Sequence, residues 1–196
     1  MIISFLAAKP MRNHLLLPLL IVISQSINGC AITGKTVNER RHGNAVLTDK
    51  RIESDASRKL KADDEIENDC HVNVAAYNGI ALVTGEAPTP RLRNKIISIV
   101  RTISDIKQVH NALLIAEPSA EESRANDALI TDSLKTELTG INTIPGFNGT
   151  EIKVITENGV VYLMGLVHKN EGAAAIEAAR RTAGVRKIVT KYEYLD

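Results

Sequence analysis

The chain has 196 residues, with 24 Lys and Arg against 23 Asp and Glu for a formal net charge of +1. That length holds one ordinary domain or two small ones, and the balanced charge excludes nucleic-acid binding by bulk electrostatics. Aromatic content of 3% without Trp argues against a base-stacking surface, and two cysteines, Cys30 and Cys70, are too few for a disulfide scaffold or a Cys-rich metal site.

Acidic residues are absent from Met1 to Gly29, and Lys9, Arg12 and His14 precede the apolar run Leu15 to Ile23. This run of nine residues is too short for the roughly 20 that span a bilayer and fits the roughly 7–15 of a signal-peptide core. Residues 1–29 are therefore read as a signal peptide, with two starts open and Met11 giving the better basic region. Ile27-Asn28-Gly29-Cys30 resembles a bacterial lipobox, with Asn28 the poor match. It makes Cys30 the acylated N-terminus of a lipoprotein; the alternative is an ordinary secretory signal with an incidental Cys. Residues 30–48 show little periodicity and read as a flexible tether. Ala31 stands where lipoproteins kept at the inner membrane typically carry Asp, which points by resemblance to the outer membrane. Gly29 to Thr36 also matches the phosphate-loop pattern G-x-x-x-x-G-K-[ST], but its upstream segment is the signal core and no clear helix follows, so nucleotide binding is rejected.

The remainder repeats itself. Asn78-Gly-Ile-Ala-Leu-Val-Thr-Gly85 matches Asn158-Gly-Val-Val-Tyr-Leu-Met-Gly165 at an offset of 80 residues. Each repeat opens on an amphipathic helix, with Ile52, Ala56 and Leu60 on one face in the first and Ile130, Leu134 and Leu138 in the second. Asn126 and Asp127 are the expected cap of the latter. Two strands follow, joined at Asn78-Gly79 or Asn158-Gly159, because a type I′ turn needs positive φ at both central residues. Gly85 and Gly165 are expected to end the second strands. A second helix starts at Thr89-Pro90 in repeat one. In repeat two it starts at Asn170, with Ala173, Ile176, Ala179 and Ala183 buried. Gly184, and Asp105 in its place in repeat one, are expected to be left-handed past the helix ends. The last strands alternate through Val109, Asn111, Leu113 and Ile115, and through Ile188, Thr190, Tyr192 and Tyr194. The resulting order is αββαβ, an α+β fold. Each copy is expected to be a three-stranded mixed sheet with two helices on one face. Domains are placed at 49–115 and 126–196, with a polar linker at 116–125 and the two units packed together, since each alone is marginal.

These residues resemble the BON domain, whose marks are an N-G-x-V-x-L-x-G-like strand, a helix and a G-V-x-x-V-like entry to the last strand. Repeat two carries both, in Asn158 to Gly165 and in Gly184-Val-Arg-Lys-Ile188; repeat one is looser. Two such domains behind a lipobox are similar to the dual-BON outer-membrane lipoproteins of Gram-negative bacteria. The resemblance implies a non-enzymatic, lipid-anchored protein on the periplasmic side of the outer membrane. It further implies binding of anionic phospholipid through the first helix of the second domain, a role in envelope integrity, and recruitment to division sites. Family members often show Trp on that helix where this chain has Leu129. Leu keeps the apolar contact without the amphipathic interfacial anchor, so weaker lipid affinity is expected.

The residues show no other chemistry. His42, His71, His110 and His168 are scattered without metal spacing and read as surface or hairpin positions. Asp63-Asp64-Glu65 with Glu67 and Asp69 reads as a solvated acidic loop rather than a cation site. Cys70 has acidic neighbours that disfavour a thiolate. Neither cofactor nor metal is expected. Arg180-Arg181 and Arg186-Lys187 form a basic edge, read as a solvated face or a headgroup contact. For lipid binding, Leu129 lies about 100° from the buried stripe of its helix. The apolar loop Ile141 to Phe147 follows that helix. Leu129, Ile144 and Phe147 are expected to form one membrane-entering patch with Lys135 as its cation, while the alternative has Ile144 and Phe147 covering the sheet edge. A competing function is a lipid-tethered scaffold for another envelope protein.

Overall fold

The computed structural model describes residues 43–196, so the signal segment, Cys30 and most of the tether lie outside the described residues. Domain one runs α1 (Gly43–Lys61), α2 (Asp64–Asp69), β1 (His71–Tyr77), β2 (Ile80–Ala87), α3 (Pro90–Arg101), β3 (Gln108–Asn111) and β4 (Leu114–Ile115). Domain two runs α4 (Glu121–Thr139), a 3-10 turn (Gly149–Glu151), β5 (Lys153–Glu157), β6 (Val160–Val167), α5 (Lys169–Arg181) and β7 (Lys187–Tyr194). α1 thus begins inside the segment read as tether, and α4 begins inside the segment read as linker.

Both sheets are mixed, with a helix as the crossover between parallel strands. β1 pairs antiparallel with β2, and β3 and β4 lie parallel beside β2. In domain two β5 pairs antiparallel with β6 and β7 runs parallel to it. Strand periodicity sorts the core into three. Ala76, Ala81 and Val83 face α1 and α3, while Val154, Val161, Leu163 and Val167 face α4 and α5. The intervening residues Ala75, Tyr77, Leu82, Ile155 and Met164 form a third core, in which the second face of each sheet meets the other. Tyr77 is 2% exposed, and its hydroxyl oxygen accepts a hydrogen bond from the Leu166 amide across that boundary at 3.0 Å. This shared core lets two small units, each marginal alone, bury both faces of their sheets.

The structure corrects several local expectations. Asn126 and Asp127 lie inside α4, whose N-cap is Ala120. Asn170 is the second residue of α5; His168 caps it, and its amide donates to the Glu171 carboxylate at 2.8 Å. The buried residues of α5 are Glu171, Gly172, Ala175, Ala178 and Ala179; Ala173 is exposed, as is Ala183 beyond the helix end. An alanine-rich helix offers too little side-chain contrast to fix its phase. Gly85 and Gly165 do not end their strands, which run on to Ala87 and Val167. The last strand of domain one breaks at 112–113, where the Asn111 side chain accepts from the Leu113 amide; Leu113 turns inward and Ile115 outward. The acidic stretch is no loop. The Asp63 carboxylate accepts from the Ile66 amide at the start of α2, and Lys95 bridges Asp63 at 2.7 Å and Glu65 at 3.2 Å.

Candidate lipid-facing surface and the interdomain cluster

Each Asn-Gly turn is held by a carboxylate from the first helix of its own domain. Asp127, buried in α4, accepts from the Asn158 amide at 2.7 Å and the Gly159 amide at 2.8 Å. Asp49 does the same for Asn78 at 2.8 Å and Gly79 at 2.9 Å. The turn residues have the positive φ the sequence requires: 51° and 81° at Asn78 and Gly79, 48° and 68° at Asn158 and Gly159. Gly184 at 87° and Asp105 at 68° are left-handed as well. These clamps fix the rotation of α1 and α4 against their sheets, and so decide which residues face outward.

On α4 the inward face is Asp127, Ile130, Leu134 and Leu138. A second face, with Arg124, Asp127, Ala128, Thr131 and Asp132, lines a groove of about 480 Å³ together with residues of β1 and β5. Leu129 points away from both and is 68% exposed, the highest value among the large apolar residues described. Lys135 is exposed and lies six residues on, about 120° around the helix from Leu129. It lines a separate groove of about 320 Å³ with Lys50 and Lys153. Lys153 is tied to the Glu53 carboxylate, which also accepts from the Ala76 amide.

The expected single patch is not assembled. Phe147 is half-buried and packs on the core of domain two, as Ile141 does. Ile144 is half-buried, and its carbonyl accepts from the Phe147 amide at 3.2 Å. The loop leaves α4 at Thr139, ten residues and about 15 Å along the axis from Leu129. Leu129 is the one large apolar residue of α4 that faces outward, with a lysine-lined groove on another flank of the helix. The basic edge is partly structural: Arg186 Nε donates to the Asn158 carbonyl at 3.0 Å.

The scattered histidines conceal a cluster. His71 opens β1, and its Cα partner across the antiparallel ladder is Glu86 of β2. Glu157 ends β5 of domain two and places Oε1 3.3 Å from His71 Nε2. Glu86 is 2% and Glu157 6% exposed. Hydrogen bonding to Glu157 pushes the His71 pKa up, against the opposing effect of burial. Glu86 accepts from the Ser119 amide at 3.2 Å and from the Asn158 side-chain amide. No local motif reveals this grouping, because register and domain packing create it. The Cys70 thiol next to it has its pKa raised by burial first and then by Asp69, Glu65 and Asp63.

Two copies of an αββαβ unit, each with a clamped Asn-Gly turn and one parallel crossover, define a tandem α+β protein. The BON domain family model matches residues 48–117 and again 126–195, and the chain belongs to that family. It is 25% identical over 174 residues to the outer membrane lipoprotein DolP of Haemophilus influenzae, spanning 89% of each chain. It is 29% identical over 161 residues to the 21 kDa hemolysin of Actinobacillus pleuropneumoniae, spanning 82% of this chain and 81% of that one. A likeness to CdsD, a structural protein of the Chlamydia trachomatis type III secretion system, has a TM-score of 0.31 at 12% identity, covers 72% of this chain and 91% of that one, and carries no functional weight. The paired BON domains and these relatives support a dual-BON outer-membrane lipoprotein. Among the described residues no helix is long and apolar enough to cross a membrane.

Proposed function

We propose that this chain is a non-enzymatic envelope protein, anchored by acyl chains on Cys30, that rests α4 of domain two on anionic phospholipid. In this reading it supports envelope integrity and is recruited to division sites. The observation that carries the lipid contact is Leu129, exposed on a helix whose phase is fixed by Asp127. Burying a leucine side chain contributes about 1.5–3 kcal/mol, and each lysine near an anionic surface adds about 1 kcal/mol. With one apolar anchor and Lys135 and Lys50 on its flank, contact is weak and salt-sensitive, and the acyl anchor supplies residence.

Two experiments test the two halves. Flotation of the non-acylated chain with vesicles of phosphatidylglycerol in phosphatidylcholine reports the lipid contact: binding that falls in Leu129→Glu is expected, and equal binding by the variant overturns it. Fatty-acid labelling of wild type and Cys30→Ala reports the anchor: label in wild type alone is expected, and label that survives the substitution assigns the anchor elsewhere.

A second reading, a tethered scaffold for another envelope protein, is favoured by Leu114 and Ile115. These two apolar residues of the short edge strand β4 are 50% and 45% exposed. Loss of partner recovery in Leu114→Lys, with vesicle binding intact, is the result that favours it.

A further inference from the structure

We propose that His71, Glu86 and Glu157 form a site for one divalent transition-metal ion of the zinc class, bridging the two BON domains. Each of the three offers a ligand atom, and these atoms all lie within 4.8 Å of one another. The backbone places them there. His71 and Glu86 are directly opposed residues of one antiparallel ladder, so their side chains share a face. By strand alternation that is the face of Tyr77 and Leu82, turned toward domain two. Glu157 shares the face of Ile155, turned toward domain one, and immediately precedes the turn that Asp127 clamps.

The separations fit a metal. Two donors of a tetrahedral zinc with bonds of about 2.05 Å lie about 3.3 Å apart, and His71 Nε2 and Glu157 Oε1 are 3.3 Å apart. The Glu86 carboxylate is already oriented by the Ser119 amide and the Asn158 side-chain amide, the outer-shell arrangement that holds a carboxylate ligand in place. Charge points the same way. Two carboxylates at 2% and 6% exposure are gathered around one imidazole, and buried anions are stabilised by pairing or by a cation. Arg124, on the adjoining groove wall, is engaged by the Ser119 carbonyl. One imidazole with two carboxylates selects zinc and its first-row neighbours over magnesium and calcium, which take all-oxygen sets. The groove that His71 and Glu157 line leaves room for water as a further ligand.

The test uses the full chain in detergent, stripped with a chelator and titrated with Zn²⁺ against a chromophoric competitor. One equivalent should bind, with affinity lower by about tenfold or more in His71→Asn and in Glu157→Gln. His110→Asn and His168→Asn should bind as wild type, and excess Mg²⁺ should not displace the ion. Zn²⁺ should raise the melting temperature of wild type and not of His71→Asn. In wild type itself, zinc should shift the ring resonances of His71 alone among the described histidines, a readout that needs no folded variant. Absence of stoichiometric binding, unaltered affinity in His71→Asn, or shifts at His110 or His168 in place of His71 would overturn the proposal.

Discussion

Where domain two carries Leu129, domain one carries Arg51. Both are the residue just before the first buried isoleucine of the opening helix, Ile130 and Ile52, and both helices are phased by an aspartate on the Asn-Gly turn. Arg51 is ion-paired to Asp105 at 2.6 Å, whereas Leu129 faces solvent. The inner faces of the two domains are alike and the outer faces are not, so repetition has preserved the scaffold while exposed positions diverged. The joins differ too. Domain one inserts α2 and binds it to α3 through Asp63, Glu65, Arg91 and Lys95. Domain two has instead the apolar loop and a 3-10 turn, whose Gly149 would place a Cβ 2.3 Å from the Leu138 carbonyl.

The largest expected difference lies at the paired strand glycines. Gly85 has φ +111° and a Cβ there would sit 2.0 Å from the His71 carbonyl oxygen, whereas at Gly165 the nearest atom is a Val167 methyl at 3.3 Å. Gly85→Ala should destabilise the protein by about 3 kcal/mol or more, and Gly165→Ala by about 1 kcal/mol or less, measured by urea unfolding. Equal losses would break the contrast. Next come the clamps. Asp127→Ala and Asp49→Ala each leave two turn amides without their acceptor and should cost about 2–3 kcal/mol; similar values at both sites would sharpen the view of a shared scaffold.

A pH effect should separate the domains. Arg91 first, then Lys95, holds the Glu65 carboxyl down to about 2, and Lys95 lowers Asp63 likewise. Carboxylates with depressed folded pKa values stabilise above their unfolded range and lose that contribution as pH falls through the folded value. The α2–α3 contact should be complete above about pH 4.5 and weaken toward pH 2. Hydrogen exchange should speed up at the Ile66 and Cys70 amides before it does in the β5–β6 hairpin. These pairs are solvent-exposed, so the effect is small and falls with salt. Smallest of all is the stability change in Leu129→Glu, within about 0.5 kcal/mol for an outward residue.

The repeat, the Asn-Gly turns and the stripes of α1 and α4 were legible because each rests on short-range periodicity or turn chemistry. What stayed hidden was tertiary. Asp127 looked like a helix cap because Asn-Asp before an apolar run usually is one; its true partners lie 31 and 32 residues on. Phe147 looked available to a membrane because nothing local marks the core it joins. The phase of α5 was unreadable among its alanines, and His71 meets Glu86 and Glu157 only through strand register and domain packing.

The central claim is that domain two, not domain one, meets the lipid. Amide NMR of the non-acylated chain 31–196, titrated with anionic micelles, tests it residue by residue. The account predicts shifts centred on Leu129 and its neighbours on α4, extending to Lys135, reduced by salt and lost in Leu129→Glu. Shifts centred on Arg51 and α1, or a Leu129→Glu variant that shifts as wild type does, would contradict it.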